Sequence, residues 1–357
     1  MELFNRLDTA ITFRRADRMQ ASGQLNGALE YLFNANEKRE KLQYERLIVD
    51  LLLQASSASD YNTPTKPIRR TDKKCTLEIA GGTIPEIKAA DFSAETLREA
   101  IARTGYLIVR GLFDASDADT IRNCVDEALN ARADTEEKTL ADDSPWYYLS
   151  PFFPGAHAAY SRRNSAKKFS RTGSFKVIDS PRGSCRVLQI YRKYALKQVF
   201  DEFFGEPSVI ATRKWVFRLV EPIKDYGGGI GGGWHQDGQF MGEGIRALNM
   251  WVPLTDCGQG TPAPGITLIP KRIEEIVEYG TRGAKLDWVV GGELVAELSK
   301  DVNIISPNFA AGDALFFDHY SLHRSGHEIG QSKNRYALES WFYAKSAHAA
   351  NSVIPYF

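Results

Sequence analysis

Three residues, His235, Asp237 and His323, constrain the fold of this chain more than any stretch of its hydrophobic pattern. A His-x-Asp pair joined by one remote histidine is the ligand set of a facial triad. Such a triad holds Fe(II) on one side and leaves the remaining coordination positions open for an organic co-substrate and O2. In an extended strand, residues two apart share a face, so His235 and Asp237 can converge on one metal while Gln236 points away. The third ligand must then arrive from a strand adjacent in space, and the long interval between Asp237 and His323 leaves room for several strands.

Arg335 adds a second requirement. Its guanidinium fork is a natural partner for a carboxylate, such as the distal one of 2-oxoglutarate. Between His323 and Arg335 lie Gly326, Gly330, Gln331, Ser332, Lys333 and Asn334, a composition that predicts a hairpin turn. An antiparallel hairpin would set Arg335 beside the metal strand, one co-substrate length from the iron. His319 competes with His323 for the distal ligand, since residues four apart on a strand face the same side. At ~3.3 Å per residue they would lie about 13 Å apart, too far to share one metal. The shorter path from His323 to the Ser325-Gly326 turn and Arg335 favours His323. Asp318 could accept a hydrogen bond from a metal-bound histidine, or be an ordinary surface carboxylate. His327 is expected in a solvent-facing turn.

With these residues in place, the chain resembles the phytanoyl-CoA dioxygenase family from about residue 91 to 345. The resemblance is carried by TGYLIVRGLF at 104–113, WHQDGQF at 234–240, LNMWVPLTDC at 248–257, PGITLIPKR at 264–272, GDALFFDHYSLHRSG at 312–326 and RYALESWF at 335–342. It implies iron ligands at His235, Asp237 and His323. It also implies a 2-oxoglutarate clamp at Arg335, helped by Ser325 and Trp251. Lys271-Arg272 stands where many relatives have Ser-His, and residues 1–70 fall outside the pattern, so the substrate stays open.

Periodicity fills in the architecture. Leu25, Ala28, Leu29, Leu32 and Phe33, then Leu47, Ile48, Leu51 and Leu52, recur at helical spacing within residues 1–56. Residues 57–72 are polar and Pro-containing, a linker composition. Ser93 before Glu95 starts a helix, 106–110 is an apolar strand, and a second helix runs from Asp114 to about 131. Residues 132–182, with Trp146-Tyr147-Tyr148 and Phe152-Phe153, are expected as a long loop over the site, with His157 an ordinary polar residue in it. Strands are expected at roughly 186–192, 212–221, 246–253, 313–317 and 335–344, with a helix near 194–204. Many short strands separated by turn signals favour an antiparallel double sheet. The expected fold is therefore mainly β with flanking helices, a double-stranded β-helix (jelly roll) over 71–357, preceded by a helical extension and linker over 1–70. Gly227 to Gly233 satisfies GxGxxG but leads into His235 instead of a helix, so it reads as a loop and not a dinucleotide site. Trp234, Phe240 and Trp341 could line an apolar substrate pocket, though core packing is their commoner fate.

Composition excludes several classes. Hydrophobic residues at 43% and charged residues at 25% suit a globular chain with a sizeable core. Lys plus Arg equals Asp plus Glu, 45 each, which argues against a nucleic-acid footprint. No apolar run reaches the ~18 residues of a membrane span, and the N-terminus lacks the features of a secretion signal. Cys75, Cys124, Cys185 and Cys257 have no CxxC spacing and are expected as free thiols in a reducing cytoplasm. The expected partner is a small-molecule substrate: a lipid, acyl-CoA or secondary metabolite. The N-terminal helices would offer a surface for a homo-oligomer. The reading is thus an Fe(II)- and 2-oxoglutarate-dependent hydroxylase using O2. Two rivals are a non-catalytic metal-binding jelly roll and a cupin-type metalloenzyme of another reaction class.

Overall fold

The structure, a computed structural model, describes residues 2–57, 77, 82–136, 144–152, 173–223, 233–242, 244–348 and 353–354. The linker, Cys75, His157 and Gly227 to Gly232 lie outside the described residues. Three helices open the chain: α1 (Glu2–Ala21), α2 (Leu25–Lys38) and α3 (Leu42–Ser57). After strand β1 (Glu86–Lys88), helix α4 (Ala94–Thr104) starts on Ser93, whose Oγ accepts from the Thr96 N–H while Thr96 returns the bond, a capping box. It stops at Gly105, whose φ of 83° is a left-handed helix end that favours glycine. Strand β2 (Tyr106–Arg110) and helix α5 (Ala115–Glu136) follow.

Strand β3 (Ser174–Lys176) leads to α6 (Pro181–Lys193), α7 (Leu196–Phe204) and strand β4 (Ser208–Val220). Then come β5 (Ala247–Pro253), β6 (Gly265–Leu268), α8 (Gly292–Leu298), β7 (Ala314–Asp318), β8 (His323–Gly326), β9 (Arg335–Ala344) and β10 (Val353–Ile354). Seven strands form one path in the order β1-β2-β7-β5-β9-β4-β10, with β3 on the flank of β4. Among the described residues, only the β1–β2 pair is parallel. The second sheet has β6 paired with β8, and isolated bridges add Ile305 beside Leu268 and His235 beside His323. Four chain segments thus face the large sheet, the two-layered architecture of a double-stranded β-helix.

Strand alternation divides the core. On β9, Leu338, Phe342 and Ala344 pack outward against the helices, while Ala337, Trp341 and Tyr343 point between the sheets. The interior cluster also takes Tyr106, Trp251, Phe309, Leu315 and Phe317. The outer face is covered by α3, α4, α5, α6 and α7, and Ile48, Leu51 and Leu52 of α3 belong to the same apolar cluster as Phe316 and Phe342 of the sheet. Cys124, Cys185 and Cys257 are buried free thiols. Among the described residues, no helix is long and apolar enough to cross a membrane.

Two expectations are corrected here. Residues 186–192 are not a strand but part of α6, whose N-cap Ser180 accepts from Gly183 N–H ahead of Pro181 in the first turn. Burial of Ser184, Val187, Leu188 and Tyr191 follows the helical period and overrides the strand-like run Val187-Leu188-Gln189-Ile190-Tyr191. The lid expected over 132–182 is also overturned where the chain is described. Residues 132–136 complete α5, and 174–176 pair with β4. Trp146 packs beneath the guanidiniums of Arg182 and Arg186, while Tyr148 and Ser150 donate to Asp50 of α3. Aromatic rings able to cover a site here cover the helical layer instead.

One ion pair ties α3 to α6. Glu45 is fully buried and accepts from Arg182 Nε at 2.9 Å. Burial pushes its carboxyl above the ordinary range against the pull of Arg182. Arg182→Met is expected to cost about 3 kcal/mol by stranding a buried carboxylate. A folded-state pKa above the unfolded value means protons bind the folded chain more tightly, so the deficit deepens as pH rises from acid to neutral. Denaturant unfolding at both pH values checks this; equal stability of variant and parent would show the pair to be idle.

Candidate metal centre

The segment 234–237 is extended through Gln236, and His235 exchanges backbone hydrogen bonds with His323 at 3.0 and 3.1 Å. Gln236 points the opposite way, as alternation requires. Its buried amide donates to the carbonyls of Glu275 and Tyr320 and accepts from Val277 N–H, which anchors the following loops. At Asp237 the chain turns into a short 3-10 helix, Asp237–Phe240. Gly238 permits this turn: a Cβ there would lie 2.6 Å from Ile276 and 2.8 Å from the His319 carbonyl.

The three predicted ligands meet. One ligand atom from each of His235, Asp237 and His323 lies within 4.8 Å of the others. The histidine rings are 4.4 Å apart, and His323 Nε2 is 3.6 Å from Asp237 Oδ2. Each histidine pairs its Nδ1 with a backbone carbonyl two residues earlier, His235 with Gly233 at 2.8 Å and His323 with Ser321 at 3.0 Å. With Nδ1–H donating to a carbonyl, Nε2 carries the lone pair, the tautomer a metal requires. Burial, followed by the neighbouring His323, pushes His235 down to about 4, so its ring is neutral near neutral pH. Burial alone would raise Asp237, but Lys214 Nζ at 2.7 Å from Oδ1 and the two histidines more than offset it. The donor set is therefore two imidazoles and one carboxylate, with the His235 ring neutral and Asp237 ionised near neutral pH.

His319 stands apart from this set. The strand expected to carry both histidines breaks at 319–322, where the chain leaves the large sheet at Asp318 and enters the small one at His323. His319 packs on Gly238 and Tyr320, and its carbonyl accepts from Gly238 N–H. Asp318 does not reach a metal histidine: it binds Tyr320 N–H, Ser321 Oγ and Arg272. Arg272, the departure from the Ser-His expected there, thus braces the turn before His323.

Arg335 is buried on the first residue of β9, over the Trp251 ring at 5.4 Å. Its Nη1 donates to the carbonyls of Pro264 and Gly265, and its Nε is buried without a partner among the described residues. The hairpin expected between His323 and Arg335 does not form. Strand β8 pairs with β6, whereas β9 lies between β4 and β5, so the connection crosses from one sheet to the other. One edge of β8 is taken by β6 and the other, at His323, by His235. Arg335 reaches the small sheet all the same, through Gly265, which pairs with Gly326. Ser325 sits one residue nearer the metal histidine, half-buried opposite Ile266. His327, expected in solvent, is half-buried; burial and the charges of Arg335 and Arg324 push it down to about 4.

Several interior polar groups were not singled out from the sequence. Lys214 is one. Another is Glu339, which accepts both Nε and Nη2 of Arg218 at 2.9 and 2.8 Å. Asn249 lies between Phe317 and Trp341 in register, with its Oδ1 buried and without a partner among the described residues. For Glu339 and Asn249 the signal available was alternation: Glu339 shares a strand face with Ala337 and Trp341, and Asn249 with Ala247 and Trp251. At the rim, Phe240 is 50% exposed and forms an aromatic wall with Trp288 beside His235, whereas Trp341 and Trp234 are core.

A two-layered β-helix carrying a 2-His-1-carboxylate cluster beside a buried arginine defines the class of non-haem iron oxygenase folds. The phytanoyl-CoA dioxygenase (PhyH) family model matches residues 101–335, well over half of the chain, and the protein belongs to this family of iron- and 2-oxoglutarate-dependent oxygenases. No curated protein sequence matches it. Among solved structures it is similar to EctD from S. alaskensis with 2-oxoglutarate and 5-hydroxyectoine, at 19% identity over 82% of this chain and 86% of that one, TM-score 0.46. It is also similar to the epimerase SnoN in complex with Fe3+, alpha ketoglutarate and nogalamycin RO (16% identity, 72% and 86% covered, TM-score 0.43). A third is the carbocyclase SnoK from nogalamycin biosynthesis (14% identity, 76% and 90% covered, TM-score 0.45).

Proposed function

We propose that the protein is an Fe(II)- and 2-oxoglutarate-dependent hydroxylase of a small organic substrate. The observation that carries this reading is the pairing of the His235, Asp237 and His323 cluster with a buried guanidinium whose Nε has no partner among the described residues. A buried donor left unpaired costs about 1–3 kcal/mol, which an anionic ligand would recover. Spacing fits a short diacid. From His323 to Gly326 the small sheet runs about 10 Å at ~3.3 Å per residue, and Gly326 pairs with the Gly265 that Arg335 touches.

In this reading His235, Asp237 and His323 hold iron, and Arg335, with Ser325 and Trp251, holds the far carboxylate of 2-oxoglutarate. Bound iron with 2-oxoglutarate and O2 would contribute the oxidising power, with release of succinate and CO2. The chain contributes the rest. Its Nδ1 bonds fix the imidazoles, its interior apolar cluster keeps water from the pocket floor, and Phe240 with Trp288 offers an aromatic platform to a substrate. Arg335 favours this reading over an idle metal-binding jelly roll or a cupin enzyme of another class, neither of which needs a buried carboxylate clamp.

Succinate release from 2-oxoglutarate, measured across lipid, acyl-CoA and secondary-metabolite candidates with product mass, tests it. Hydroxylation requires a product heavier by one oxygen. A product isomeric with its substrate, or cyclised from it, would keep the oxygenase class and overturn the hydroxylase assignment.

A further inference from the structure

Lys214 stands inside the barrel because of a fault in β4. Against β9 the register is regular through Ile210 and regular again from Trp215, with a shift between them. Ile210, Trp215 and Phe217 all pack outward with the helices, although 210 and 215 have opposite parity. The irregularity therefore turns Lys214 from the outer face, where unbroken alternation from Ile210 would put it, to the inner one. Bulges beside functional sites re-aim side chains in this manner. The ammonium then lies 2.7 Å from Asp237 Oδ1 and over the Phe240 ring at 5.3 Å. The other oxygen, Oδ2, is the one that faces His323 Nε2.

We infer that Lys214 is a positioning residue that reserves Oδ1 of Asp237, so that the carboxylate offers a metal one oxygen and cannot chelate through two. This inference rests on the metal-site reading above. Its chemical consequence is the number of open positions. Two histidines, one carboxylate oxygen and a two-toothed keto acid leave one place on a six-coordinate ion, whereas a chelating carboxylate would take it. Lys214 is also a like charge beside the metal position, so it weakens metal binding while it keeps that place free. A residue of merely structural value would do the opposite: its loss would weaken binding.

The test is titration of the metal-free full chain with Co(II), followed by its d–d absorption, whose intensity falls as coordination number rises. Lys214→Met keeps the aliphatic stem and removes the charge. It is expected to bind Co(II) about tenfold more tightly, the order of effect of deleting one partly screened neighbouring charge, with weaker d–d bands. Nitric oxide, used as a probe of the open position in the Fe(II)- and 2-oxoglutarate-loaded protein, is expected to bind the variant more weakly. Lys214→Arg, which can still donate to Oδ1, should restore the parental spectrum, and Lys214→Ala gives the same reading as the Met variant should that one fold poorly. Unchanged spectra and affinity in Lys214→Met, or affinity that falls, would overturn the inference. Failure of the parent chain itself to bind Co(II) would instead overturn the metal-site reading, which separates the two.

Discussion

Changing His323 to alanine is expected to abolish stoichiometric Fe(II) or Co(II) binding, whereas changing His319 to alanine leaves the metal in place. The two residues are close in sequence, and both are buried. Among the described residues, it is His323 and not His319 that brings a ring nitrogen together with a His235 ring nitrogen and an Asp237 carboxylate oxygen. Loss of a direct ligand should cost at least about 100-fold in metal affinity, beyond what loss of an outer partner usually costs. The His319 variant removes a ring packed on Gly238 and Tyr320, so a modest drop in melting temperature is expected with metal content near that of the parent. Metal analysis of both purified variants, after circular dichroism shows them folded, decides the matter. The reverse pattern would move the ligand to His319.

Arg335→Lys is the second large effect. Lysine keeps the charge but loses the planar fork, and its ammonium cannot offer both Nε and Nη donors in one plane. In the parent, Nη1 is committed to the Pro264 and Gly265 carbonyls, which orients the guanidinium and leaves Nε for a ligand. Loss of one charge-assisted hydrogen bond, about 1.5–3 kcal/mol, corresponds to a fall of roughly 10–100-fold in 2-oxoglutarate affinity. Co(II) binding in the absence of 2-oxoglutarate should not change, because among the described residues Arg335 bonds Pro264 and Gly265 and lies over Trp251, not on the triad. Anaerobic titration of the Fe(II) protein with 2-oxoglutarate measures it, and unchanged affinity would assign the clamp elsewhere. Neither obvious substitute is free for that role. Arg218 is engaged by Glu339 through two nitrogens, and Arg186 pairs with Glu40 on the helical layer.

Local chemistry was legible in the order of residues. Ser93 announced α4 because an N-cap acts within one turn, and β9 was readable from 335 to 344 because alternation is a property of the strand itself. The family motifs marked His235, Asp237 and His323, and the structure brings them together. The run at 186–192 misled because its β-branched and aromatic residues fit a strand or a buried helix equally well. The choice lay with Ser180 and Pro181 just ahead of it.

Sheet membership could not be read from the chain. Gly- and Asn-rich spacing between His323 and Arg335 signals a turn, but it does not say whether the next strand pairs with the last one. That depends on which edges distant segments already occupy, here β6 and His235 on β8. Lys214 is the clearer case. Counting by twos from Ile210 puts it among the helices, and only the register shift against β9 turns it toward Asp237. Sequence by itself determined the chemistry of the three candidate ligands, because that resides in side-chain type and short spacing. Tertiary structure decided what surrounds them, because strand pairing and register are settled by hydrogen bonds between residues far apart in the chain.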